Sequence, residues 1–152
     1  MSSYAGQTID LFIMQGAAPA GMRRISTTLS SEDGGKIVGG VEKVAQSFLT
    51  RMMTSVGTYI GSPTVGTAFA SSLRGTNLRL DSLQLIFTDA ASDVLMQLNT
   101  EQAGLPDGER LASVELLSAS QPDSTSYMFE VRLWTRAGTS TIVLMPITLV
   151  IK

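Results

Sequence analysis

The chain has 152 residues, 43% hydrophobic and only 16% charged, with a formal net charge of -2. That length and composition exclude a disordered chain and point to one domain over 1–152, large enough to bury its own core. It contains no cysteine and no histidine, which excludes disulfides and thiolate chemistry and removes the commonest general base and transition-metal ligand.

In chain order, Ile9 to Met14 alternates weakly and predicts a first strand with Leu11 and Ile13 on one face. Gln15 to Gly21, rich in Gly and Ala around Pro19, predicts a loop. Ile25, Thr27 and Leu29 then alternate within Arg23 to Leu29, a second strand antiparallel to the first. Ser30 to Gly35 combines cap chemistry with flexibility. Asp33 is placed to accept from the free N–H groups of the following helix, with Glu32 near its positive end.

The stretch from Lys36 to Val56 organises the rest. Ile37, Val41, Val44, Ala45, Phe48, Met52 and Val56 fall at the spacing of an amphipathic helix, and Val38, Leu49 and Met53 widen the stripe. Gly39 and Gly40 each cost about 1 kcal/mol in a helix interior, which favours a start after Gly40. Gly57 is expected to stop the helix. Tyr59 to Phe69 reads as a loop punctuated by Gly61, Pro63 and Gly66, followed by a short helical turn over Thr67 to Leu73 closed by Arg74 and Gly75.

Asn77 to Asn99 predicts the second long helix, with Leu83, Ile86, Phe87, Ala90, Val94 and Leu98 in helical period. Pro106-Asp107-Gly108 is a turn signal. The last third then alternates as strand: Ala112, Val114 and Leu116 within Glu109 to Ser118, a Pro122-Asp123-Ser124 turn, then Ser126 to Arg136. In that strand Phe129, Val131 and Leu133 oppose Glu130, Arg132, Trp134 and Arg136. Thr141 to Ile151 is almost wholly apolar, as a strand buried on both faces would be, yet Pro146 belongs at an edge or bulge. Either it packs into its own sheet or its hairpin adds to a neighbour's. Together the elements predict an α+β fold: two main helices on a mostly antiparallel sheet, with a C-terminal hairpin available for strand exchange.

Candidate chemistry is thin. Asp89 and Asp93 share a helix face, where two solvated carboxylates are far commoner than an acid–base pair. Gly34-Gly35-Lys36-Ile37 fails the phosphate-loop pattern, because Ser30 and Ile37 stand where Gly and Ser/Thr are required. Lys43 and Ser47 lie four apart with no oxyanion feature nearby. The basic residues are scattered, with Arg23-Arg24 adjacent, so no nucleic-acid partner is expected. No apolar run is long enough for a membrane span, no cofactor or metal is implied, and the Met-Ser-Ser-Tyr start predicts a cytoplasmic product. A charge-poor, apolar composition favours an assembly subunit over a free monomer, and no enzyme signal survives among these candidates. Trp134 beside Arg132 and Arg136 fits an interface anchor.

The run from Gly40 to Leu49, with Met53-Thr-Ser-Val-Gly-Thr-Tyr-Ile-Gly-Ser-Pro-Thr-Val-Gly-Thr-Ala-Phe69, resembles the baseplate wedge and sheath-initiator family of contractile phage tails. That family includes a type VI secretion baseplate component and carries an old "lysozyme-like" label. The matching positions are Gln46, Thr54, Gly57, Pro63, Gly66, Thr67 and Phe69. Of a Glu-Pro-Arg triplet that many members carry in this loop, Gly61-Ser-Pro-Thr64 keeps the proline alone. The resemblance implies a virion subunit, made in the host cytoplasm. It would sit in a ring around the tail tube and hub, touch baseplate wedge proteins and pair its C-terminal strands with the tail sheath protein. Alternate side chains Ile142, Leu144, Ile147 and Leu149 would supply the apolar fit, with Trp134 and Arg136 beside them. Deleting Thr139 to Lys152 is then expected to leave a folded protein unable to start a sheath. Another tail subunit, tube-associated or terminating, is the alternative, and a lysozyme-type hydrolase the remoter one.

Overall fold

The computed structural model describes the backbone of residues 10–11, 14–18, 22–25, 37–73 and 78–148, with side chains from residue 39 onward. The elements are β1 (Asp10–Leu11), β2 (Met14–Ala18), β3 (Met22–Ile25), β4 (Ile37–Val38), α1 (Gly40–Met53), α2 (Phe69–Ser72), α3 (Leu80–Glu101), a 3-10 turn at Asp107–Glu109, β5 (Leu111–Asp123), β6 (Ser126–Thr135) and β7 (Ser140–Thr148). The five-stranded sheet runs β2-β3-β7-β6-β5, and β1 pairs with β4 separately. Its neighbours are antiparallel except β3 and β7, which run parallel with Arg23 opposite Val143 and Arg24 opposite Leu144. The fold is α+β, two main helices on a mostly antiparallel sheet.

The helices lie on one face of that sheet because their apolar stripes face its alternating strands. Val44, Ala45, Phe48, Leu49 and Met52 of α1 and Leu83, Phe87, Ala90, Ala91, Val94 and Leu98 of α3 are buried. They meet Tyr127, Phe129, Val131 and Leu133 of β6 and Val143, Met145 and Ile147 of β7. The rings of Phe69, Phe87 and Phe129 form the centre, with centroids 5.4 to 6.0 Å apart. Phe69 meets the other two rings edge-on while Phe87 stacks on Phe129, and both kinds of contact add to the area term. The buried Gln102 joins helix to sheet: its backbone N–H donates to the Leu98 carbonyl, and its side-chain oxygen accepts from the Leu111 N–H at 3.0 Å.

Several boundaries differ from expectation. Met14–Ala18 is a strand where a loop over Gln15 to Gly21 was expected, and it pairs with β3, while Asp10 and Leu11 of the expected first strand pair with β4. Ile37 and Val38 pair with Leu11 and Asp10 in place of starting the helix. The N-cap is Gly39, extended and without a side-chain bond, followed by Gly40 at φ 57. Two glycines let the chain leave β4 and enter α1 within two residues, at a φ that side chains resist. Asp33 and Glu32, expected near the helix start, lie outside the described residues. The other end of α1 comes early too, at Met53, because Thr54 turns extended. Val56 is exposed as a result. At the other hairpin, β5 runs on through Pro122 to Asp123, and the turn is Ser124-Thr125. Pro122 is tolerated there because β5 is an edge strand.

The last strand packs into its own sheet, one of its two expected places, and this changes the expected outcome of deleting it. β7 lies inside the sheet between β6 and β3, and Val143, Met145 and Ile147 are core residues. Removing Thr139 to Lys152 would strip the core of these side chains, so that deletion is expected to unfold the chain.

Candidate functional site

The segment between α1 and α2 is a closed loop, and its closure uses backbone groups throughout. The Thr54 N–H donates to the carbonyls of Thr50 and Arg51, and its hydroxyl donates to Thr50 O at 2.7 Å. Its own carbonyl accepts the Thr67 N–H at 2.8 Å, and the Val56 N–H donates to Thr67 O at 3.2 Å. The two ends of the loop thus meet as a short parallel bridge, Ser55 with Thr67. The buried Thr67 hydroxyl donates to Met52 O at 2.9 Å and accepts the Phe69 N–H at 3.1 Å. That second bond caps the entry to α2 and sets Phe69 into the aromatic centre. Inside the loop, Gly57 at φ 86 donates its N–H to Pro63 O at 3.0 Å.

Gly66 is the tightest point. Its φ is 106, and a Cβ there would overlap the Thr54 carbonyl oxygen. From α3, the half-buried Gln97 reaches Gly66 twice: the side-chain oxygen accepts the Gly66 N–H at 3.2 Å, and the side-chain NH2 donates to Gly66 O at 2.9 Å. Arg51 donates to the same side-chain oxygen at 3.3 Å and also pairs with Glu101. The loop therefore hangs from both helices, while Val56, Tyr59 and Ile60 stand exposed at its far side. From Met52 to Leu73 no side chain carries a formal charge.

Of the seven motif positions, Thr54, Gly57, Pro63, Gly66, Thr67 and Phe69 come together in this one unit. Gln46 lies apart on α1, buried, with its backbone carbonyl accepting from the Thr50 hydroxyl. Gln97, Arg51 and Glu101 were missed. The signal for Gln97 was weak: a polar residue between the apolar positions Val94 and Leu98.

The residues expected at a partner surface are more dispersed. On the sheet face opposite the helices, Trp134 is exposed and pairs with Ser140, while Ile142 and Leu144 are half-buried opposite Arg132 and Glu130. Arg132 sits 3.6 Å from Glu115 on the neighbouring strand. Ile147 points the other way and is core, since residues 142 and 147 differ by an odd number of positions in an alternating strand. Arg136 has left the strand for the turn: its N–H donates to Arg110 O at 3.0 Å, and its guanidinium faces Asn99 at 3.5 Å. Leu149 lies outside the described residues.

Asp89 and Asp93 are both exposed and flank a shallow hollow with Ala68, Phe69, Ser72, Ile86 and Ala90. Among the described residues, no group of three or more carboxylates is arranged to hold a metal ion. Asp123, fully exposed at the β5–β6 turn, has its pKa lowered by the Thr125 backbone N–H and then by the Thr125 hydroxyl, both donating to its carboxylate.

These elements place the chain in a class of α+β proteins with helices on one face of a mostly antiparallel sheet. A crystal structure from Geobacter sulfurreducens, provisionally named a tail lysozyme, shares this fold with a TM-score of 0.51 and 17% identity. The match covers 84% of this chain and 99% of that chain. No family model and no curated protein matches the sequence.

Proposed function

We propose that this protein is a structural subunit of a contractile tail, located in the baseplate, where it takes part in starting the sheath. The observation that carries the reading is the fold shared with a protein named for a tail, over nearly the whole of that chain. The seven-residue resemblance supports it independently, since six of those positions build one closed loop. A structural role also needs none of the histidine and cysteine chemistry that the sequence lacks.

In this reading the contact with the sheath protein uses the outer face of the β6–β7 hairpin. Trp134, Ile142 and Leu144 supply apolar area there, worth about 25 cal/mol for each Å² covered. Backbone pairing is available to an incoming strand along β5, the edge strand of the sheet among the described residues. Repetition around a ring multiplies a modest contact into a stable collar.

Because deletion of β7 would unfold the chain, the test is a surface change. Trp134→Ala combined with Ile142→Thr is expected to alter thermal stability by about 1 kcal/mol or less. Particles carrying this variant are expected to contain the subunit and fail to extend a sheath. Normal sheath length on such particles would overturn the sheath-starting role. The neighbour's name also supports a hydrolase reading, and a peptidoglycan-clearing assay on the purified protein separates the two. Clearing that survives removal of contaminating lysozyme would sink the structural reading.

A further inference from the structure

We propose that Gln97 is a positioning residue that latches the Thr54–Thr67 loop in a single conformation, with Arg51 and Glu101 setting the direction in which its amide faces. An amide side chain presents one acceptor and two donor hydrogens, the same pair of groups that a neighbouring strand would offer. Gln97 uses both on one residue, accepting from the Gly66 N–H at 3.2 Å and donating to Gly66 O at 2.9 Å. The opposite amide orientation would set its NH2 against two donors, the Gly66 N–H and the Arg51 guanidinium, which accepts nothing. Arg51 therefore selects one face of the amide. Glu101, one helical turn after Gln97 on α3, pairs with Arg51 and holds it in place.

The geometry has a directional consequence. Gly66 sits where the loop's return limb meets Thr54, at a φ that leaves its two polar groups pointing away from the Ser55–Thr67 bridge. With Gln97 in place, both limbs are tied: one to the last turn of α1, the other to α3. Without it the return limb loses its tie to α3 and keeps the Thr67 bonds and the Gly57–Pro63 bond within the loop, so the exposed Val56, Tyr59 and Ile60 lose a defined position. The latch does not rest on the tail reading and holds whatever surface that apolar tip meets.

The test is hydrogen–deuterium exchange on the full chain, read on peptides spanning residues 54–68 and, as an internal control, on β6 and β7. Gln97→Met keeps the length of the side chain and removes both bonds. It is expected to raise exchange in the loop by about tenfold while β6 and β7 keep their protection. Gln97→Glu keeps the bonds from the Gly66 N–H and Arg51 but sets a carboxylate oxygen against Gly66 O, so an intermediate increase is expected. Arg51→Met, which frees the amide to turn, is expected to give a smaller increase confined to the same peptides. Loop exchange unchanged in Gln97→Met would overturn the proposal. A rise shared equally by the loop and by β6 and β7 would also overturn it, because Gln97 would then support the fold as a whole.

Discussion

The loop between α1 and α2 and the β6–β7 hairpin solve the same problem, bringing two separated parts of the chain side by side, by different means. The hairpin relies on repetition: nine register pairs and an alternation that buries Phe129, Val131 and Leu133 against Val143, Met145 and Ile147. Many apolar substitutions would satisfy such a pattern. The loop relies on single atoms. Its ends are joined by the Thr54 backbone carbonyl, by a clearance at Gly66 that any Cβ would fill, and by a hydroxyl at Thr67 that an apolar residue would not supply. The difference teaches why the specific motif of this sequence lies in the loop while the hairpin shows only periodicity.

The comparison can be broken from the hairpin side first. Phe129→Ala removes the ring that contacts both Phe69 and Phe87, and is expected to cost about 3–5 kcal/mol in chemical denaturation. Next comes the loop: Gly66→Ala imposes both an unfavourable φ and a clash with the Thr54 carbonyl, for about 1–3 kcal/mol. If the two regions differ as argued, Phe129→Ala lowers protection throughout the core, whereas Gly66→Ala concentrates its effect near residues 54–68. The smallest effect belongs to Asp123 at the hairpin turn. Its folded pKa lies below the ordinary 3.8, so its stabilisation is complete above that value and is lost as pH falls through the lower folded value. Asp123→Asn should flatten the acid limb of a stability–pH curve slightly, by a small loss at neutral pH, and leave stability below the folded pKa almost unchanged.

Much of the fold was legible because periodicity reports faces directly. The buried residues of α3 and the inward set of β6 match their apolar spacing, and both long helices were placed within a few residues of their ends. The errors have local causes. Ile37 and Val38 continue the helical spacing of α1 but pair with β1, a long-range choice that no window around them contains. Met14–Ala18 is composed of Gly, Ala, Gln and Met, weak strand formers that become strand because β3 offers them an edge. The sequence left two places open for β7, because its apolar run reports burial on two faces without saying which chain provides the cover; the fold takes the first, inside its own sheet. At the site, the backbone-shaping residues could be read from type and spacing. Gln97 could not, since its role depends on a fold that brings position 97 beside position 66.

The parallel seam between β3 and β7 joins residues about 120 positions apart, such as Arg23 and Val143. During translation β3 emerges long before this mate exists. Closing so wide a span is entropically slow, so the β5–β7 meander and its helices should assemble ahead of the seam. The nascent β3 edge facing β7 should therefore stay open to intermolecular mispairing until residues near Val143 have been made.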